Sequence, residues 1–142
     1  MAFSEPQVGL VINYSFLWPE QAVSGQEEGT KDRPCAIILT TETKDGEHSV
    51  LVVPITHSPP KDMTKAVEIP MATKRRLGLD DLPSWAVTDC LNKFIWPGPD
   101  IRPVSPGNIA YGFLPKVLTE KLIQQVLENH ARGQVTTTPR SE

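Results

Sequence analysis

Proline is the residue that most constrains the fold of this chain, because 14 of its 142 residues are proline. That share is about twice the usual one of roughly 5%. Proline lacks a backbone N–H and has a fixed φ angle, so it interrupts helix interiors and central strands. We therefore expect short strands that are separated by tight corners and ordered loops.

Short apolar runs that are rich in β-branched residues predict where the strands lie. They indicate five or six strands, at residues 8–14, 35–41, 49–55, 66–69, 84–89 and 92–96, the last two being separate strands or one bent strand. Between the second and third runs, Lys44-Asp45-Gly46 is typical of a hairpin turn. Residues 17–30 are predicted to be a long loop, and residues 96–107, which contain four prolines, an extended corner.

One segment, residues 115–130, has the pattern of an amphipathic helix. Its apolar residues are predicted to form a single stripe: Val117, Leu118, Leu122, Val126 and Leu127. Residues 73–77 are compatible with one helical turn that ends at Gly78. The chain is therefore predicted to be mainly β, with a single domain over residues 1–133, in which the helix covers a small barrel. A frayed polar tail is expected at 134–142.

Composition and charge exclude several classes of protein. The formal net charge of −3 excludes a globally basic nucleic-acid-binding protein, and no apolar run approaches the ~20 residues of a membrane helix. We expect no secretory signal, because no basic residue precedes Lys31, and Cys35 and Cys90 lie in apolar runs that suit buried, reduced thiols. These features predict a cytoplasmic protein. No metal or other cofactor is expected, since the histidines lack ligand spacing: His48, His57 and His130.

Four short motifs resemble the PemK/MazF family of toxin ribonucleases. They are Gly-Leu-Val-Ile at 9–12, Arg-Pro before an apolar strand at 33–39, Pro-Ile-Thr at 54–56 and Val-Glu-Ile at 67–69. The resemblance implies an SH3-like barrel that forms a homodimer and is held inactive by a cognate antitoxin. It also implies cleavage of single-stranded RNA without a metal, by attack of the ribose 2′-OH on the adjacent phosphate.

The chain departs from this family pattern at two places. Residues 92–96 lead into the proline-rich corner rather than into a strand of the Arg-Thr-Ile type, and the first loop lacks a Gly-Ser-Glu-Gln run close before Arg33. Two alternatives therefore stay open. One is a catalytically inactive SH3-like module that binds protein or nucleic acid, and the other is a topoisomerase-blocking toxin of the same barrel fold.

The resemblance implies that Arg33, Thr56 and Asp89 are catalytic. His57, which follows Thr56, is a candidate proton carrier because of its own chemistry. A planar guanidinium matches a phosphate, a hydroxyl can donate to it, and a histidine side chain carries protons near neutral pH. An ionised carboxylate beside Arg33 would act as a base. Each residue also has a structural interpretation: an Arg33–Asp32 ion pair, a turn at Thr56, a solvated His57, and a strand cap or salt bridge at Asp89.

The segment 61–76 carries a net charge of +3 and is suited to follow an RNA backbone. The residues predicted to bind RNA there and beside it are Ser58, Lys61, Lys65 and Arg75. Trp18, which precedes a proline in the first loop, is predicted to stack on a base. A solvated charged face and a core position for the aromatic ring are the alternatives.

Overall fold

A computed structural model describes residues 5–25 and 31–140, and it shows a mainly β protein, as the sequence predicts. The described residues contain nine strands, three α-helices and a short 3-10 turn. The strands are β1 (Leu10–Tyr14), β2 (Arg33–Glu42), β3 (His48–Thr56), β4 (Ala66–Glu68), β5 (Trp85–Val87), β6 (Cys90–Ile95), β7 (Ile101–Arg102), β8 (Ala110–Phe113) and β9 (Thr136–Pro139). The helices are α1 (Pro19–Val23), α2 (Met71–Leu77) and α3 (Lys116–Ala131).

The hairpin of β2 and β3 is the centre of the sheet. Its turn contains Gly46, whose φ of 80° suits glycine, and Thr43 N donates to the Glu47 carbonyl at 2.7 Å. On the β2 side, the sheet continues to β1, which pairs with both β7 and β8. On the other side, β3 pairs with β6 through residues 49–52 and with β5 through its last two residues. All these pairs are antiparallel, whereas β6 and β9 run parallel.

The strand pairing does not close into the predicted SH3-like barrel within the part of the chain that the structure describes. The main path of the sheet begins at β4 and ends at β7, while β6, β8 and β9 branch from it. Strand β3 is divided between two partners, β6 along its first half and β5 at its end. A branched sheet is therefore found where the sequence predicts a barrel.

Residues 35–38 of β2 and 52–55 of β3 are all buried, so both faces of these two strands are covered there, which accounts for their apolar sequences. Successive residues of a strand point to opposite faces, so Ala36 and Ile38 join one cluster and Cys35 and Ile37 join another. The first cluster includes Leu122 of α3, and we call it the helix-side core. The second is the far-side core, and its aromatic members are Tyr14, Phe16 and Phe94.

Helix α3 lies within one residue of the predicted segment, but its buried stripe is narrower than predicted. Leu118, Leu122 and Val126 are buried at a spacing of four residues. Val117 and Leu127 are 79% and 56% exposed, because each lies one helical position away from that row. None of the helices in the described part of the chain is long and apolar enough to cross a membrane.

The tail predicted to be frayed instead contains β9, whose four residues lie beside β6. Arg140 follows β9 and is buried, because its guanidinium pairs with Asp100 at 3.1 Å and donates to the Ser15 carbonyl at 2.6 Å. The last two residues of the predicted tail, 141–142, lie outside the described residues, as do residues 26–30 of the predicted long loop. That loop contains α1, and the proline-rich corner contains β7, neither of which the sequence pattern predicts.

Candidate active site

The start of β2 and the end of β3 bring Arg33 and Thr56 to the same end of the sheet. Cys35 lies opposite Pro54, so Arg33 and Thr56 each lie two residues further along their antiparallel strands. A cleft of about 250 Å³ opens at this point, and Arg33, Thr56 and His57 line it. We call it the Arg33 cleft; its other lining residues are Lys31, Asp32, Pro34, Ile55, Lys74, Leu79, Asp80, Ser84 and Tyr111.

The guanidinium of Arg33 is half-buried and short of partners. Its Cζ lies 5.2 Å from the centroid of the Trp18 ring, and its buried Nε has no hydrogen-bond partner among residues 5–25 and 31–140. Burial lowers the pKa of Arg33, because the charged form loses water. The carboxylate of Asp32, the partner expected in the structural interpretation, pairs instead with Arg102 at 3.7 Å. A half-buried guanidinium that lines a cleft is well suited to an anion such as a phosphate.

His57 is held by a carboxylate that the sequence analysis did not single out. Its Nε2 lies 2.6 Å from Oδ2 of Asp80. The other carboxylate oxygen, Oδ1, accepts from Lys74 Nζ at 2.6 Å and from the Leu82 backbone N–H at 3.1 Å. Lys74 is only 1% exposed, and its ammonium also donates to the Leu82 carbonyl. The Arg33 cleft therefore contains a chain of polar contacts that runs from His57 through Asp80 to a buried ammonium.

Asp80 reaches Lys74 because helix α2 ends in a left-handed turn. Gly78 has a φ of 73°, its N–H donates to the Arg75 carbonyl, and the N–H of Leu79 donates to the Lys74 carbonyl. This is the Schellman arrangement, which reverses the chain direction after a helix. The signal that points to Asp80 is thus a lysine four residues before a helix-ending glycine and an aspartate two residues after it.

The charge states in the Arg33 cleft follow from these contacts. The hydrogen bond from Lys74, together with the Leu82 N–H and the nearby His57, holds the pKa of Asp80 below its usual range, so Asp80 is ionised at neutral pH. Burial raises the pKa of Tyr111, so its phenol keeps its proton. The cleft thus offers a cation, an oriented histidine, a hydroxyl and a phenol to a bound anion.

Thr56 also shows the contact expected from its structural interpretation. Its Oγ1 accepts from the backbone N–H of Ser58 at 3.2 Å, which is a turn of the Ser/Thr type. Because Oγ1 accepts in this bond, its own proton is still available to a ligand. The turn and a role as a phosphate donor are therefore compatible.

Asp89 does not lie in the Arg33 cleft. Strand β5 runs antiparallel to β3 with Trp85 opposite Thr56, so the chain moves away from Thr56 as it proceeds to Asp89. The carboxylate of Asp89 instead contacts the Cys90 thiol. The carboxylates that line the Arg33 cleft are those of Asp32 and Asp80. A catalytic role for Asp89 stays a prediction.

Three of the predicted RNA-binding residues line a second cleft of about 300 Å³. We call it the lysine cleft; Ser58, Lys61, Lys65 and Asp89 line it together with Pro60, Asp62, Ala66 and Val87. His57 and Ser58 are consecutive residues, so the two clefts meet along the backbone. The other two predicted residues are elsewhere: Arg75 is exposed on α2, and Trp18 contacts Arg33.

The described residues contain no group of three His, Cys, Asp or Glu side chains that could hold a metal ion. Both cysteines are free thiols, and burial raises the pKa of each. Comparisons with protein-family models, with curated proteins and with solved structures each gave no match. Function is therefore inferred from the side chains of the two clefts and from the motifs that resemble the PemK/MazF family.

Proposed function

We propose that this protein is a metal-independent endoribonuclease toxin of the PemK/MazF type that cleaves single-stranded RNA in the Arg33 cleft. The observation that carries the proposal is that Arg33 and Thr56, which lie in motifs that resemble this family, line one cleft together with His57. The half-buried guanidinium of Arg33 adds to it, because phosphate is the anion that RNA brings to such a site.

The Arg33 cleft contains a side chain for each role in the proposed reaction. The ribose 2′-oxygen attacks the adjacent phosphorus, the bond from phosphorus to the 5′-oxygen breaks, and the products are a 2′,3′-cyclic phosphate and a 5′-hydroxyl. The net reaction moves one proton from the 2′-oxygen to the departing 5′-oxygen, and His57 is the side chain placed to carry it. Arg33 and the Thr56 hydroxyl then stabilise the extra negative charge on the phosphorane.

The lysine cleft extends the proposed substrate path. A strand bound with its scissile phosphate at Arg33 can continue past His57 to Lys61 and Lys65, whose ammonium groups attract neighbouring phosphates. The Trp18 ring packs against the guanidinium of Arg33. Stacking of an RNA base on the same ring stays a prediction. A cognate antitoxin and a homodimer belong to the proposal through the family resemblance.

The test is cleavage of a panel of single-stranded RNAs of varied sequence in the presence of EDTA. We expect fragments that end in a 2′,3′-cyclic phosphate. Arg33→Ala is expected to lower the rate by at least about 10²-fold, as loss of one preorganised charge donor does. The matched control is Lys121→Ala, an exposed cation on α3 outside both clefts, which should retain a near wild-type rate.

Three outcomes would reject or replace the proposal. Cleavage that persists in Arg33→Ala would show a contaminating nuclease or a different site. Failure of the wild type to cut any RNA would end the ribonuclease assignment. Binding of RNA without cleavage, lost in Arg33→Ala, would favour the non-catalytic binding module instead.

A further inference from the structure

We infer that Asp80 is a positioning residue that fixes His57 in the tautomer with its proton on Nε2, so that Nδ1 is the atom that accepts the proton of the 2′-OH. The substrate in this inference rests on the proposed ribonuclease function, whereas the tautomer does not. The observation that carries it is the 2.6 Å contact between His57 Nε2 and Asp80 Oδ2, inside the cleft that contains Arg33.

The direction of this hydrogen bond follows from the chemistry of its two partners. An ionised carboxylate can only accept, so Nε2 of His57 must donate. A neutral imidazole has one N–H and one lone pair, and the lone pair is then on Nδ1. Nδ1 makes no hydrogen bond to a residue that the structure describes, and the His57 side chain lines the cleft and is 46% exposed.

Asp80 itself is held firmly enough to orient the ring. Oδ1 accepts from Lys74 and from the Leu82 N–H, which leaves Oδ2 to face His57. Lys74 cannot turn towards water, because its side chain is 1% exposed and its ammonium is also bound to the Leu82 carbonyl. A carboxylate whose orientation is fixed by a buried ammonium and a backbone N–H can hold a catalytic histidine in one geometry.

Other charged groups of the cleft also act on His57, and a pH study must account for them. The titratable groups that line the Arg33 cleft beside His57 are Lys31, Asp32, Arg33, Lys74, Asp80 and Tyr111. Asp80 is the only one in direct contact with the imidazole among the described residues. Replacement of Asp80 should therefore affect the tautomer of His57 and its proton transfer more than any other single substitution in the cleft.

The tautomer is tested directly by 15N NMR of the imidazole side chains at a pH where histidine is neutral. The wild type is expected to show the shift pattern of an Nε2–H tautomer for the signal that disappears in His57→Gln. Asp80→Asn should give a mixture of tautomers or the Nδ1–H form, because a carboxamide can donate to Nε2. An unchanged tautomer in Asp80→Asn, or an Nδ1–H form in the wild type, would overturn the inference.

The consequence for proton transfer is tested with Asp80→Asn in the RNA-cleavage assay. Asparagine keeps the acceptor for Lys74 and Leu82, so the fold should be retained, which circular dichroism checks. We expect kcat to fall by about 10²-fold or more with KM within about twofold, since transfer is impaired and binding is not. The pH profile of kcat/KM should also differ between Asp80→Asn and the wild type, because the carboxylate that contacts the imidazole is gone.

Two matched variants separate positioning from a merely structural role. Asp81→Asn changes the exposed neighbour of Asp80 and should alter neither kcat nor the pH profile. Asp80→Glu restores a carboxylate and should recover part of kcat together with the Nε2–H signal. If the wild type cuts RNA and Asp80→Asn cuts it with the same kcat and pH profile, the positioning role is wrong while the proposed function stands. If the wild type cuts no RNA, the proposed function fails, and the NMR result alone decides the tautomer.

Discussion

The guanidinium of Arg33 lies over the indole ring of Trp18, with its Cζ 5.2 Å from the ring centroid. The Trp18 ring makes an edge contact with the buried Phe16 ring, with 5.0 Å between the centroids. The backbone N–H of Trp18 donates to the side chain of Gln21 in the first turn of α1. Because the cation loses part of its hydration, the aromatic face offsets some of that cost. The first loop therefore fixes the position of Arg33 as much as β2 does.

Replacement of Trp18 tests this support. Trp18→Ala is expected to raise KM for RNA several-fold, because Arg33 loses a contact of about 0.5–2 kcal/mol and samples more orientations. Trp18→Phe, which keeps an aromatic face, should stay close to the wild type. Steady-state cleavage kinetics with both variants give the measurement, and equal KM values for the two would contradict a cation–π role.

Helix α3 provides a test of the narrow apolar stripe. Leu122 is fully buried in the helix-side core, so Leu122→Ala should lower the free energy of unfolding by about 2–5 kcal/mol. Leu127 is 56% exposed, and Leu127→Ala should cost less than about 1 kcal/mol. Urea unfolding of both variants is the measurement. Similar losses would indicate the broader stripe that the sequence predicts.

The central strands could be predicted because their sequences are apolar on both faces, a pattern that a buried strand requires whatever surrounds it. The turn at Gly46 and the helix end at Gly78 were likewise predictable, since glycine supplies the positive φ at both positions. By contrast, β7, β8 and β9 have two to four residues each, and they are strands only because long-range neighbours pair with them. A polar Thr-Thr-Thr-Pro segment contains no local signal for that pairing.

The candidate site was predictable in part for a similar reason. Arg33 and Thr56 lie in motifs at the ends of two paired strands, so their meeting follows from the hairpin. Asp89 was placed by its position at the end of a strand, but the direction of β5 takes it away from Thr56. The helix end at Gly78 was predictable, but the contact of Asp80 with Lys74 also depends on the burial of Lys74, which is a property of the folded chain.

Thiol reactivity tests the surroundings of the two cysteines. Burial, together with the charge of Asp89, raises the pKa of Cys90 to about 12, and burial raises that of Cys35 further. At pH 8 only about one Cys90 side chain in 10⁴ is then a thiolate, so the folded protein should react very slowly with a disulfide reagent. Both thiols should react in denaturant. Asp89→Asn should speed labelling of Cys90 but leave Cys35 unchanged, and rapid labelling of the native wild type would contradict this environment.

The lowered pKa of Asp80 predicts how its contribution to stability depends on pH. A group whose pKa is lower in the folded state stabilises the protein above its unfolded pKa, which is about 4, and this contribution is lost as the pH falls through the folded value. The difference in unfolding free energy between wild type and Asp80→Asn should therefore be largest at neutral pH and shrink below about pH 4. Measuring both proteins in a His57→Gln background removes titration of the imidazole. A difference that stays constant from pH 7 to about pH 3 would show that ionisation of Asp80 does not stabilise the folded protein.

Replacement of Arg140 tests whether the segment after β9 is part of the fold. Its side chain is 1% exposed, pairs with the buried Asp100 and donates to Ser15 and to the Asn92 side chain. Arg140→Met removes the cation and leaves a buried carboxylate without its counter-charge, so the free energy of unfolding should fall by about 3–5 kcal/mol.

The exposed Arg75→Met is the matched control for Arg140→Met and should change stability by no more than about 0.5 kcal/mol. Guanidinium unfolding of both variants measures the difference. Because Asn92 also accepts from the Leu17 N–H, next to Trp18, Arg140→Met should raise KM for RNA as Trp18→Ala does. If Arg140→Met is as stable as the control, the contacts of Arg140 do not stabilise the fold. The expected effect on Trp18 and, through it, on Arg33 is then absent as well.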